Sequence, residues 1–318
     1  MKTPKRRITA FVVTVILLTG TNIWAAEKSF PKKPIQFIVP YAPGGGQDLL
    51  ARGIAPYLEK HLGGSVVIDN VPGAGGKIGF TKAWKANPDG YTIMTYVLPV
   101  PIILENLSKV DYWTKEFTPI FAWSEANQVL VVSPDVYKTL EDFLQAAKTK
   151  TLSFGLPGRG TSAHLAGLLA VDGFGIKVNW VPFSGGSEAL TSLAGKHIDC
   201  AIVQAPTALA LVRSGKLKPL IVFANEKDSV YPDAPIPKEK GFKIPYASSL
   251  RGVVAPPKLP SPTAEILEKA FEKAIQEPGY KEWGERTKTD IAPVSSKEYQ
   301  KIIEEQYKLV EKYIHLLN

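Results

Sequence analysis

The sequence predicts an α/β protein built as two lobes, and three observations carry that prediction. Strand-like apolar runs alternate with helix-like stretches, and the transitions between them are repeatedly loops rich in glycine. At 318 residues the chain is long for one hydrophobic core and suits two lobes of ordinary domain size. Hydrophobic residues at 45% with 21% charged residues describe a globular chain rather than a disordered one.

The first 26 residues belong to neither lobe. Lys2, Lys5, Arg6 and Arg7 make a positive start, Ile8 to Leu18 is apolar, and Ile23-Trp-Ala-Ala26 offers cleavage after Ala25 or Ala26, the pattern of a secretory signal peptide. The other reading is an uncleaved anchor, but Ile8 to Leu18 is shorter than the roughly 20 residues a spanning helix needs. Loss of these four basic residues halves the formal charge of +8, which removes the main argument for nucleic-acid binding. Cys200 is the single cysteine, so no intramolecular disulfide can form, and its setting in Ile198 to Val203 reads as a buried strand with a small apolar filler.

In chain order, Ile35 to Val39 is a strand that stops at Pro40. It leads through Tyr41-Ala-Pro-Gly-Gly-Gly46 into a helix with Leu49, Leu50, Ile54, Leu58 and Leu62 on its apolar face. Such a loop aims unpaired backbone N–H groups and the positive end of a helix dipole at one spot, half of an anion pocket. Gly53 and Pro56 fall inside this helix; an internal proline costs about 3 kcal/mol, so a kink or an early end is expected. The unit repeats: Val66 to Ile68, the loop Asn70 to Gly76, and a helical stretch with Ile78, Ala83 and Trp84. After the turn Asn87-Pro-Asp-Gly90 comes a third strand, Tyr91 to Val97.

Two apolar runs, Ile120 to Trp123 and Val129 to Val132, can carry the chain into a second lobe. Thr139 and Asp142 form a capping box for the next helix. Three βα units follow: Leu152 to Phe154 with the loop Gly155 to Ser162, Val178 to Val181 with Pro182 to Ser187, and Ile198 to Val203 with Gln204 to Thr207. Residues 225 to 245 read as a surface excursion and Tyr246 to Ala255 as the return crossing. A helix through Ile266 to Ile275 and a last one opened by Ser295 and Glu298 are assigned back to the first lobe. The expected division is 27–123 plus 251–318 against 124–250. Strand–helix alternation argues for parallel sheets with the ligand at their carboxyl ends.

These residues carry a resemblance. Lys33 to Asp48 with Ala51-Arg52, Val67 to Gly79, Asn87 to Thr92, Gly158 to Ala166 and Val181 to Leu190 together resemble the extracytoplasmic solute receptors of tripartite tricarboxylate transporters, the Bug or TctC-like family. The resemblance implies a two-lobed periplasmic binding protein fold, a ligand cleft between the lobes and two hinge crossovers. It further implies a monomer in the periplasm, with no cofactor and no metal, that binds a small organic acid and delivers it to transporter membrane subunits. The matching first-lobe positions are the loop Ala42 to Asp48, that is Ala42, Pro43, Gly44, Gly45, Gly46, Gln47 and Asp48, with Tyr41 before it, and the loop Pro72 to Gly76, which includes Gly73, Ala74 and Gly75. In the second lobe they are the loop Gly158 to His164, with Arg159, Gly160, Thr161, Ser162, Ala163 and His164, then Phe183, Ser184, Gly185 and Gly186, and Gln204, Ala205 and Pro206. The chain departs from the family at Ser248-Ser-Leu-Arg-Gly252, where many members have an aromatic residue, and at Arg159.

A carboxylate leaving water needs several donors at about 1.5–3 kcal/mol each. Asp48 facing an anion would repel it, so it is better placed to steady the helix start or the loop amides. Thr161 and Ser162 either cap their helix or touch ligand, His164 fits loop bracing, and Tyr41 and Phe183 are core or cleft wall. Arg159 and Arg251 are surface charges unless one grips a second anionic group, as a guanidinium fork can. An enzyme is the reading of another class. No Gly-x-Ser-x-Gly elbow, phosphate loop or His-Glu-x-x-His site occurs, and His61, His164, His197 and His315 lack metal-ligand spacing. A hydrolase built on Ser162 and His164, or a sensory receptor docking on a membrane sensor, are the alternatives.

Overall fold

The computed structural model describes residues 30–246, 248–287 and 289–316, so the expected signal peptide lies outside the described residues. The chain opens as β1 (Ile35–Val39), α1 (Gly46–Leu62), β2 (Val66–Asn70), α2 (Lys77–Trp84), β3 (Thr92–Leu98), α3 (Val100–Leu107) and β4 (Thr118–Ala126). It continues as β5 (Gln128–Val132), α4 (Leu140–Thr149), β6 (Leu152–Leu156), α5 (Ser162–Phe174), β7 (Val178–Pro182), α6 (Gly186–Ala194), β8 (Cys200–Gln204), α7 (Ala205–Arg213) and β9 (Lys218–Phe223). It closes with β10 (Ser249–Ala255), α8 (Ser261–Gln276), α9 (Pro278–Thr287), β11 (Val294–Ser295) and α10 (Ser296–Tyr313).

Two sheets result, ordered β11-β4-β10-β3-β1-β2 and β7-β6-β8-β5-β9. The expectation of parallel sheets holds only in part. β1 runs parallel to β2 and β3, and β6 to β7 and β8, but β10 is antiparallel to β3 and β4, and β5 to β8 and β9. The antiparallel strands are those on the crossings: the chain leaves the first sheet on β4, enters the second on β5 after the single residue Asn127, and returns on β10. β4 and β10 stay paired as far as Ala126 and Ser249, so both strands extend past the expected boundaries at 123/124 and 250/251.

Side-chain alternation sets the layers. Ile35, Phe37 and Val39 of β1 pack with α1 and α8 through Ile54, Leu58, Leu267 and Phe271, while Ile38 joins Phe80, Met94 and Tyr96 on the other face. α1 continues past Pro56 to Leu62, so the expected early end does not occur. Pro56 is exposed, so the Arg52 carbonyl it leaves without an i+4 donor lies on the solvent side of the helix. Gly53 has its own reason: a Cβ there would lie 2.6 Å from the Trp283 ring of α9. Thr139 and Asp142 exchange both capping bonds, at 3.0 and 3.1 Å, whereas at α10 Ser295 Oγ accepts from Glu298 N at 3.4 Å. Cys200 is buried, which pushes its thiol pKa well up. No helix of the described residues is long and apolar enough to cross a membrane.

At the return crossing the register of β10 against β4 shifts between Arg251 and Gly252, leaving Trp123 of β4 as the extra residue. Gly252 is required there, since a Cβ would meet Phe121 O at 2.6 Å, Tyr299 Cε1 at 2.7 Å and Ala122 Cβ at 2.8 Å. Gly252→Ala is expected to lower unfolding free energy by about 1–3 kcal/mol in a denaturant titration, as overpacking of a filled interior does.

Candidate functional site

The βα connections of both lobes converge on a cavity of about 380 Å³ between the two sheets. From the first sheet it is lined by Tyr41, Gly45, Gly46 and Gln47 around the start of α1, by Val97 and Val100 around the start of α3, and by Ser249 and Arg251 of β10. From the second it is lined by Gln128 of β5, Pro157, Thr161, Ser162 and Ala163 at the start of α5, Gly186 at the start of α6, and Val203, Gln204 and Thr207 at the start of α7. Five helix N-termini therefore face one volume. Four of them, those of α1, α3, α6 and α7, carry no side-chain capping bond, which leaves backbone N–H groups for an occupant.

Among the described residues no Asp or Glu lines this cavity, and Arg251 is its one fixed charge. Burial lowers the Arg251 pKa to about 10, and its Nη2 donates to the side-chain oxygen of Gln204. No carboxylate pairs with it among the described residues. A cation held this way is electrostatically unfinished, and an anion completes it. Volume alone would choose differently: a cavity of about 550 Å³ lies between the flank of α7 and α8–α9, but Arg213, Lys281, Glu285 and Asp290 give it charges of both signs.

The expected positions divide into a lining and its supports. Tyr41, Gly45, Gly46, Gln47, Thr161, Ser162, Ala163, Gly186, Gln204 and Arg251 line the cavity. Ala42, Pro43 and Gly44 instead form the turn before it: Gly45 N donates to Ala42 O at 3.4 Å, and Gly44 takes φ +78°, as the third position of a type II turn requires. Asp48 is 2% exposed and turned away from the lining. Its carboxylate accepts from Gly44 N at 2.8 Å, Arg52 Nε at 3.0 Å and Asn70 Nδ2 at 2.9 Å. Burial pushes its pKa up, but the bonds from Arg52, Gly44 and Asn70 outweigh that and hold it low, so it steadies the loop as a satisfied anion.

The second glycine loop does not reach the lining. Gly73, Ala74, Gly75 and Gly76 all take positive φ, and the loop stands behind Tyr41: a Cβ on Gly76 would meet Phe80 at 2.8 Å and Tyr41 at 3.4 Å. In the second lobe Arg159 is exposed and outside the lining, and Gly160 faces Ile103 of α3. Phe183 packs against the apolar cluster under α6 and α7, Ser184 bonds Glu188, and Ala205 N donates to Asn127 O at 2.9 Å. Gly185 is the N-cap of α6, and Pro206 borders a different cavity at the crossing, beside Glu125 and Asp228. The Thr161 hydroxyl is used locally, accepting from His164 N at 3.2 Å and donating to Gly158 O at 2.9 Å. The lining also holds Val97, Val100, Gln128, Pro157, Val203, Thr207 and Ser249, which lie outside the expected positions. Gln128 did leave a signal, as a polar residue opening the apolar run Val129 to Val132.

His164 is buried in the first turn of α5, where its Nδ1 accepts from Gly160 N at 3.1 Å and its ring meets Trp180 edge to face. Burial, with the Arg159 charge adding to it, lowers its pKa to about 4. The folded protein thus keeps the ring neutral down to about pH 4, whereas the unfolded chain takes up the proton near 6.5. Native stability falls as pH drops through that window. Between pH 7 and pH 4 the wild-type protein is expected to lose about 2–3 kcal/mol more than His164→Asn, read as the difference in unfolding free energy against pH.

The family model described as "Tripartite tricarboxylate transporter family receptor" matches residues 50–318. The "UPF0065 protein in the TAR-I ttuE-ttuC' intergenic region" of Agrobacterium vitis is 32% identical over 270 residues, covering 83% of this chain and 78% of that one. A TctC solute binding protein from Polaromonas has a similar structure, with TM-score 0.79 and 29% identity over 90% of this chain and 99% of that one. MatC from Rhodopseudomonas palustris, solved with bound malate, gives TM-score 0.74 and 26% identity over 90% of this chain and 100% of that one. The two lobes, the cleft between them and these matches lead to one conclusion: the chain belongs to the family of tripartite tricarboxylate transporter receptors.

Proposed function

We propose that this protein is an extracytoplasmic receptor that binds a small organic carboxylate between its lobes and delivers it to the membrane component of a tripartite tricarboxylate transporter. The observation that carries the binding is the composition of the cavity: five helix N-termini, no acid among the described residues, and a guanidinium with no counter-charge. A volume of about 380 Å³ suits an acid of a few carbons. The malate held by the relative MatC is a ligand of that class. The delivery step rests on family membership, and the signal-like N-terminus, with cleavage after Ala25 or Ala26, supports the periplasm as the place of binding. We take the receptor to act as a monomer without a cofactor.

The loops supply the electrostatic part of recognition through the backbone, where no side chain has to be ordered or discharged. Micromolar binding needs about 8 kcal/mol net. Three to five charge-assisted bonds at about 1.5–3 kcal/mol each, with burial against Tyr41, Val97 and Val203, reach that after the cost of ordering.

A thermal-shift and calorimetric screen of mono-, di- and tricarboxylates against neutral sugars is expected to raise the melting temperature with acids only. A response confined to sugars would defeat the carboxylate reading. Arg251→Gln should weaken the best acid about 10- to 100-fold, the loss of one charge-assisted bond. Arg159→Ala, outside the lining, should leave affinity within about 2-fold, as screened surface charges do. Undiminished binding by Arg251→Gln would remove that residue from recognition.

A further inference from the structure

We propose that the inner end of the cavity is built to receive a neutral hydroxyl group, so that the protein prefers hydroxycarboxylates to the same acids without that hydroxyl. This deepens the carboxylate reading and rests on it. Four side chains that line the cavity, Arg251, Gln204, Ser249 and Gln128, form a chain of hydrogen bonds with both donors and acceptors left over.

The guanidinium of Arg251 has only donors, so its bond to Gln204 fixes the amide with oxygen toward Arg251 and nitrogen away. Gln204 Nε2 donates to Ser249 Oγ at 2.9 Å. Gln128 Nε2 donates to the same oxygen at 3.1 Å. Both lone pairs of the Ser249 hydroxyl are then occupied, and its O–H has no acceptor among the described residues. At the far end, Gln128 Oε1 is buried without a partner among the described residues, on a side chain that is 0% exposed. A buried amide oxygen left unpaired is costly, which marks a position where a bound molecule supplies the missing donor.

The inventory therefore offers one donor, Ser249 O–H, beside one acceptor, Gln128 Oε1. An alcohol donates one bond and accepts up to two, so it satisfies both. An ammonium would satisfy Gln128 but leave Ser249 unpaired, and it would stand near the Arg251 cation. A carboxylate would set its lone pairs against Gln128 Oε1, so it belongs with Arg251 or at the helix N-termini. A methylene or methyl group would leave both protein groups unpaired.

The test is calorimetric titration of the purified protein at neutral pH with two matched pairs, malate against succinate and lactate against propionate, with 2-methylsuccinate as a shape control. In each pair that binds, the hydroxy acid is expected to be tighter by about 10- to 100-fold, and 2-methylsuccinate no better than succinate. Gln128→Met and Ser249→Ala should each shrink the hydroxy-to-deoxy affinity ratio, measured within that variant, to about 3-fold or less. Equal affinities within the wild-type pairs, or a preference untouched in both variants, would overturn the hydroxyl assignment while leaving carboxylate binding intact. Failure of every acid to bind would instead defeat the carboxylate reading and the hydroxyl assignment with it. If neither variant folds, the wild-type ratios and the methyl control decide.

Discussion

A helix that follows a parallel strand arrives with its N-terminus at the carboxyl edge of the sheet, and the geometry allows no other end there. With two such sheets facing one gap, α1, α3, α5, α6 and α7 all turn their positive ends toward the same volume. The site is thus made attractive to anions by backbone alone, before any side chain is chosen. Arg251 is the exception that comes from a different source. It sits on antiparallel β10, beside the register shift that Gly252 makes possible, and so brings a side-chain cation to the inner end of a backbone-built site.

The charged and titratable groups behind the loops are arranged so as not to oppose that field. Asp48 is a carboxylate one turn from the cavity, yet its charge is spent on Arg52, Asn70 and the Gly44 amide. His164 stays neutral and uses its ring nitrogen to hold Gly160 in a left-handed turn. Each brace binds a glycine whose φ is positive, so flexibility that glycine brings to the loop is removed by a buried side chain. The loops are shaped by glycine and held by Asp48 and His164.

The parts of this fold that sequence made legible are those with local signals. β1 and the glycine loop after it, the capping box of α4 and the βα units from β6 to α7 all announce themselves within a few residues. β9 and β11 were not foreseen, because one is a short run between two loops and the other has two residues, and strand identity there comes from pairing with β5 and β4. α3 follows β3 so closely, in Val100 to Leu107, that its apolar residues read as a continuation. The site divides the same way. Loop glycines are visible in sequence; Ser249 is not, and Gln128 shows only as a polar residue opening an apolar run, because each lies at the start of a strand and gains meaning only when the two crossings are brought side by side. The second glycine loop carries the same composition as the first but serves to seat Tyr41, a distinction that only packing makes.

A single residue, Asn127, separates β4 from β5, and it is tied down by its carbonyl to Ala205 and by its side chain to Asp228. So short a joint allows the lobes to tilt but not to draw apart. Displacement under a tilt grows with distance from the pivot, so the part of the lining least displaced by it is Gln128, next to Asn127, with Ser249 and Gln204 tied to it directly or through Ser249.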